Sequence, residues 1–213
     1  GWWVVGGCVC LACLAAVQVF DNVLALSTCK YLHTASSIGE LGDEMHTVYE
    51  RGKTKPSTAI ERCVDSILVE LGDESACVEY WWRDKWVHVE AHEDVDEELF
   101  EQQKRRTFPI NAHVLYLEVG SQVQGPTCVW ESDDAAERSD FGALTTVPAV
   151  SGRLLRFSGE LMHAVPKPAH VWLDASASAP SPPPSRPQAT KGDRVRSVIL
   201  FNTWPEPPLG VAR

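Results

Sequence analysis

A chain of 213 residues has room for one sizeable domain with its own hydrophobic core, or at most two small ones. Its apolar share of 44% and charged share of 23% are those of an ordinary soluble globular protein. A formal net charge of −10 argues against a protein that wraps nucleic acid with a broad basic face, so no nucleic-acid partner is expected.

Residues 1–17 are uncharged and mostly apolar from Trp2 onward. The run is short for a membrane helix, which needs about 20 residues. Two readings stand: a truncated signal or signal anchor, or the start of the domain itself. The first implies the endoplasmic reticulum or secretory route and the second the cytoplasm; membrane association stays open with them. The seven cysteines (Cys8, Cys10, Cys13, Cys29, Cys63, Cys77, Cys128) form no regular disulfide framework. Cys8, Cys10 and Cys13 cluster, but no second pair completes a tetrahedral metal set, so packed, reduced thiols are expected.

Ala16 to Leu24 reads as a strand with a turn. Ser27 is placed to cap a helix running to about Leu41, stopped by Gly42. A polar loop containing Arg51 to Pro56 follows. Thr58 and Glu61 have capping-box spacing, and Ile60, Val64, Ile67, Leu68 and Leu71 then fall on one helical face that ends at Gly72. From Cys77 onward the pattern is β: segments at 78–82, 86–91, 113–119, 127–131, 144–147, 153–157, 161–165, 169–173 and 195–203 are rich in Val, Ile, Trp, Tyr and Phe. Many short strands after two helices predict a mainly β, α+β fold of sandwich or jelly-roll type. Residues 175–193 are Ala-, Ser- and Pro-rich and are expected to form a disordered loop. Trp81, Trp82 and Trp86 suit either core or a groove, and no site role is assigned to them.

Within the β region, His88, Glu90, His92, Asp94 and Asp96 share strand parity, because residues i and i+2 point to one side. His88-Val-Glu90 and His92-Glu-Asp94 are therefore two His-x-carboxylate matches that spacing does not separate. His163 follows an apolar strand that would deliver it to the interior. Two imidazoles and one carboxylate on one face of a metal are the ligand set of non-haem iron(II) oxygenases.

The order of elements carries a resemblance. His92-Glu93-Asp94 is followed by Val114-Leu-Tyr-Leu117, by Pro148 through Gly152-Arg-Leu to Phe157, by His163-Ala-Val165, and by Arg196 through Asn202 to Trp204. Over roughly residues 18–208 this resembles the Fe(II)/2-oxoglutarate-dependent dioxygenases, prolyl 4-hydroxylase-like branch. The resemblance implies a double-stranded β-helix (jelly roll) and favours His92/Asp94 over His88/Glu90. It also implies that His92, Asp94 and His163 hold Fe(II) as the catalytic set. Arg196 would neutralise the far carboxylate of 2-oxoglutarate, since a guanidinium fork binds a carboxylate through two hydrogen bonds and stays charged. Tyr116 would add a hydroxyl there. Arg194 has the same parity as Arg196 and is the alternative.

Arg196 stands 33 residues beyond His163, farther than in the family, and the stretch at 175–193 accounts for most of the excess. The implied reaction consumes O2 and 2-oxoglutarate, releases succinate and CO2, and hydroxylates a peptidyl proline, another side chain or a small molecule. Ascorbate (vitamin C) dependence is a family expectation. Two rivals remain: a jelly-roll binding or scaffold domain without catalysis, and a cupin-like metalloenzyme using His88, Glu90, His92 and His163 without 2-oxoglutarate.

Overall fold

A computed structural model of the protein describes residues 16–37, 46–120, 125–131, 142–166 and 195–209. In chain order the elements are β1 (Val17–Phe20), α1 (Leu26–Ser37), β2 (Thr47–Glu50), α2 (Ala59–Glu70), β3 (Cys77–Arg83), β4 (Val89–His92), α3 (Glu97–Gln103), β5 (Asn111–Val119), β6 (Thr127–Glu131), β7 (Ala143–Val147), β8 (Leu154–Ser158), β9 (His163–Val165) and β10 (Arg196–Trp204). They form a six-stranded sheet, β1-β8-β5-β10-β3-β2, and a four-stranded sheet, β4-β9-β6-β7. All the pairings are antiparallel. This is the expected jelly-roll architecture.

The alternation of side chains divides the larger sheet into two faces. Val78, Tyr80 and Trp82 of β3, Leu115 and Leu117 of β5, and Ile199 and Phe201 of β10 pack with Leu32 of α1 and Ile60, Val64, Ile67 and Leu68 of α2. The opposite parity, including Ala112, Val114, Tyr116 and Val198, joins Val129, Val147, Leu155, Phe157 and Leu161 in a second core between the sheets. The helices thus cover one face, and the other is left to the small sheet and the site.

Local chemistry explains how α2 starts and stops. Thr58 Oγ1 accepts the Glu61 N–H at 3.0 Å, and the Glu61 carboxylate accepts the Thr58 N–H at 3.2 Å, as the capping-box spacing predicts. At the other end Gly72, with φ +65°, lets its own N–H reach Val69 O and the Asp73 N–H reach Leu68 O. Gly152, with φ +80°, turns the chain into β8 while its carbonyl accepts the Val23 N–H and its N–H donates to Tyr116 O.

Several expectations need correction. α1 begins at Leu26, so Ser27 lies inside the helix; the Ala25 carbonyl accepts the Cys29 N–H, and the helix starts two residues earlier than a Ser27 cap would have it. The expected end at Leu41–Gly42 falls outside the described residues, as do Cys8, Cys10, Cys13, the segment 169–173 and the loop 175–193. β2 and α3 were not predicted: one has 4 residues and the other 7, too short for a period to register. Among the described residues no helix is long and apolar enough to cross a membrane.

Candidate metal centre

His92 closes β4 and His163 opens β9, and the two are direct cross-strand partners. Asp94 follows two residues later, where the chain has left the strand. Ligand atoms of His92, Asp94 and His163 all lie within 4.8 Å of one another. Asp94 Oδ1 sits 3.5 Å from His92 Nε2 and 3.8 Å from His163 Nε2. The imidazole centroids are 4.2 Å apart, with planes tilted by 51°.

The backbone orients both rings. His92 Nδ1 lies 2.8 Å from Glu90 O, and His163 Nδ1 lies 3.2 Å from Leu161 O. A carbonyl oxygen only accepts, so each Nδ1 carries the hydrogen and each Nε2 is left to face Asp94. Asn202 Nδ2 donates to Asp94 Oδ2 at 3.1 Å and holds the carboxylate. Outer hydrogen bonds of this kind orient metal ligands. The donor set fits a hard-to-borderline divalent ion that takes imidazole and carboxylate and keeps open positions, as iron(II) does.

Electrostatics at Asp94 and His163 agree with that fit. Burial alone would raise the Asp94 carboxyl, but the His92 hydrogen bond, the charges of His163 and His92 and the Asn202 amide overcome it and hold the group below its ordinary value. His163 is buried, which pushes its imidazole down against the pull of Asp94. The hydrogen bond to Asp94 draws His92 up, against its partial desolvation. A carboxylate kept ionised and an imidazole kept neutral are the states that bind metal.

Arg196 lies inside the same inner cavity, whose lining also includes His92, Asp94, Thr127 and His163. Its residue is 3% exposed, yet no carboxylate pairs with it among the described residues. Nε donates to Gly125 O at 3.0 Å and Nη2 to Thr127 Oγ1 at 3.2 Å, while the guanidinium lies 5.2 Å from the Tyr116 ring centroid. Thr127 Oγ1 also shares a hydrogen bond of 2.7 Å with the Tyr116 hydroxyl. Burial pushes the guanidinium down and the phenol up, each offset in part by the other. A buried cation without a carboxylate partner is costly to keep. The cavity measures about 40 Å³.

The structure separates the two His-x-carboxylate matches. His88 lies before β4, exposed, with Nδ1 3.2 Å from Val165 O, and Glu90 is exposed; neither joins the cluster. The shared parity breaks at the irregularity between Val89 and His92, and Asp96 turns away to cap α3 by accepting the Leu99 N–H at 2.9 Å. Arg194 lies outside the described residues. Thr127 and Gly125 carried no sequence signal: a threonine at a strand start and a glycine in a loop are ordinary. A Cβ on Gly125 would come within 2.5 Å of Trp86 Nε1, so the close approach that offers its carbonyl to Arg196 requires glycine.

No family model and no curated protein matches the chain. Solved structures do resemble it. A prolyl-4-hydroxylase from Pseudomonas putida aligns with 89% of this chain and 84% of its own at 14% identity, with a TM-score of 0.50. HygX from Streptomyces hygroscopicus, with nickel and 2-oxoglutarate bound, aligns with 89% and 82% at 14% identity and a TM-score of 0.48. A truncated viral collagen prolyl hydroxylase from Paramecium Bursaria Chlorella virus-1 aligns with 89% of each chain at 13% identity and a TM-score of 0.43. The first of these likenesses establishes the fold, the jelly roll of a prolyl-4-hydroxylase.

Proposed function

We propose that the protein is an Fe(II)- and 2-oxoglutarate-dependent oxygenase. The observation that carries the reading is the convergence of His92, Asp94 and His163 on one cavity that also holds a buried Arg196 with no carboxylate partner among the described residues. In this reading His92 Nε2, Asp94 Oδ1 and His163 Nε2 hold the iron on one face. Arg196, steadied by Gly125 O and Thr127 Oγ1, takes the far carboxylate of 2-oxoglutarate, and the Tyr116 hydroxyl is in reach of the same group through Thr127. Iron(II) with 2-oxoglutarate and O2 supplies the oxidising chemistry, in which 2-oxoglutarate is converted to succinate and CO2 and one oxygen atom enters the substrate.

The chain's own part is geometry and solvent. Glu90 O and Leu161 O fix the tautomers, Asn202 fixes the carboxylate, and Phe157, Val114 and Val198 keep the slot apolar between its two polar ends. A dry lining strengthens each of these polar contacts. A peptidyl proline is one substrate class this reading admits, with ascorbate as a supporting reductant. The domain spans about 18–208 in this reading, with residues 1–17 ahead of it.

Succinate formation from 2-oxoglutarate with added Fe(II), measured before and after His163→Ala, tests the proposal. Stoichiometric metal in the wild type together with loss of turnover in the variant supports it; normal turnover in the variant sinks the assignment. A scaffold without catalysis would instead bind neither Fe(II) nor 2-oxoglutarate in the wild type.

A further inference from the structure

We propose that Arg83 is a second anchor for 2-oxoglutarate: it takes the carboxylate beside the keto group while Arg196 takes the far one, so that the chain grips both ends of a dicarboxylate. The inference rests on the proposed function above.

Strand register places Arg83 for this. Alternation along β3 turns Val78, Tyr80 and Trp82 toward the helices and leaves Glu79, Trp81 and Arg83 on the side of the site. Arg83 ends β3 across from Val198 of β10, and Arg196 stands two residues before Val198 on the same face. The two arginines are therefore diagonal neighbours, about 7–8 Å apart at the backbone and within reach of long side chains. Farther along β10, Asn202 holds Asp94. In register, Arg83 thus falls between Arg196 and the metal ligands.

The charges point the same way. Among the described residues the fully charged side chains lining the inner cavity are Arg83, Arg196 and Asp94, and Asp94 is committed to the histidines and Asn202. Two guanidinium groups on one face repel, the more so where water is excluded. The repulsion is felt at Arg196, where burial and then Arg83 lower the guanidinium. It is also felt at His92, where Arg83 opposes the rise that the Asp94 hydrogen bond leads. One dicarboxylate offsets both charges at once, whereas a monocarboxylate leaves one guanidinium as it stands. Arg83 is half-buried and also lines the outer cleft of about 1250 Å³ with His92 and Asp94, so a ligand approaching the metal ligands from outside meets it.

Calorimetry on the full chain loaded with Ni(II), a redox-quiet stand-in for iron, tests this with three ligands. These are 2-oxoglutarate, 2-oxopentanoate, which lacks the far carboxylate, and 4-oxopentanoate, which lacks the one beside the keto group; weak ligands are measured by displacement of 2-oxoglutarate. Arg83→Gln should weaken 2-oxoglutarate and 2-oxopentanoate about tenfold and leave 4-oxopentanoate as it was. Arg196→Leu should give the mirror image, weakening the two ligands that carry the far carboxylate. Arg83→Lys keeps the charge without the fork and should show the Arg83→Gln pattern at smaller size, so it carries the test if the glutamine variant fails to fold. Equal loss for all three ligands is the diffuse field of a charge and overturns the proposal, as does unchanged binding of all three. A loss confined to ligands with the far carboxylate overturns the assignment of ends. Wild-type protein that binds neither Ni(II) nor 2-oxoglutarate removes the proposed function and this inference with it; wild-type binding with indifferent Arg83 variants removes only this inference.

Discussion

The two faces of the six-stranded sheet are built on opposite principles. The helix-covered face is mostly apolar, and the polar groups of α2 are satisfied by its own caps and by the hydrogen bond from the Tyr80 hydroxyl to Glu61. The face toward the small sheet also has an apolar core, but along it lie a carboxylate, two imidazoles and a guanidinium that folding alone does not require. Buried ionisable groups rarely add stability, since desolvation offsets their attraction. Stability and function are thereby assigned to different sides of one sheet, and substitutions should separate them.

The sharpest break comes from the ligands. His163→Ala should weaken Fe(II) binding at least a hundredfold, since even outer-shell partners are worth 10–100-fold, with succinate formation lost and the thermal midpoint hardly changed. On the opposite face, Leu68→Ala should destabilise the fold by about 2–5 kcal/mol through the cavity it leaves, with metal stoichiometry retained below the midpoint. Chemical denaturation and metal analysis on the same samples would decide whether the two effects are as separate as the faces suggest. Arg196→Leu should raise the dissociation constant for 2-oxoglutarate roughly 10–100-fold, the worth of hydrogen bonds to a charged group, and leave Fe(II) binding in place by calorimetry.

His113 complicates the helix-covered face. It stacks on Phe201 at 4.3 Å, donates Nδ1–H to Phe201 O at 3.1 Å, and has no partner at Nε2 among the described residues. Burial, aided by the charge of Arg156 and opposed by Asp73, pushes its imidazole from 6.5 down to about 3. The unfolded chain therefore binds the proton more readily than the folded one. The contribution is fully present above pH 6.5 and is lost as pH falls from there toward 3, at up to about 1.4 kcal/mol per pH unit. His113→Phe should flatten this part of the stability–pH curve. Thr58→Ala should have the smallest effect, about 1 kcal/mol from the lost cap, visible in denaturant midpoints and absent from any binding measurement.

Much of this was legible locally. The capping box at Thr58 and Glu61, the stop at Gly72 and the limits of β6 follow from near-neighbour chemistry, and the structure has them as expected. α3 escaped because 7 residues rich in Glu and Gln show no apolar period, although Asp96 as N-cap was there to be seen. The Ser27 cap was misplaced because α1 starts behind Ala25, which has no capping side chain to mark the position in the sequence.

For the site, sequence by itself determined the residue types and their order: histidine, carboxylate, histidine, arginine. Spacing left His88/Glu90 and His92/Asp94 equivalent, because both pairs are two residues apart, and only the resemblance in the order of downstream elements favoured the second. Tertiary structure shows the physical difference between them: β4 pairs with β9 so that His92 lies across from His163 while His88 stays outside the cluster. It also supplied Gly125, Thr127 and Asn202, whose roles depend on neighbours more than 60 residues away in the chain. The physical reason is that a metal or an anion is held by convergence, and convergence in a jelly roll is made by strand register between distant segments.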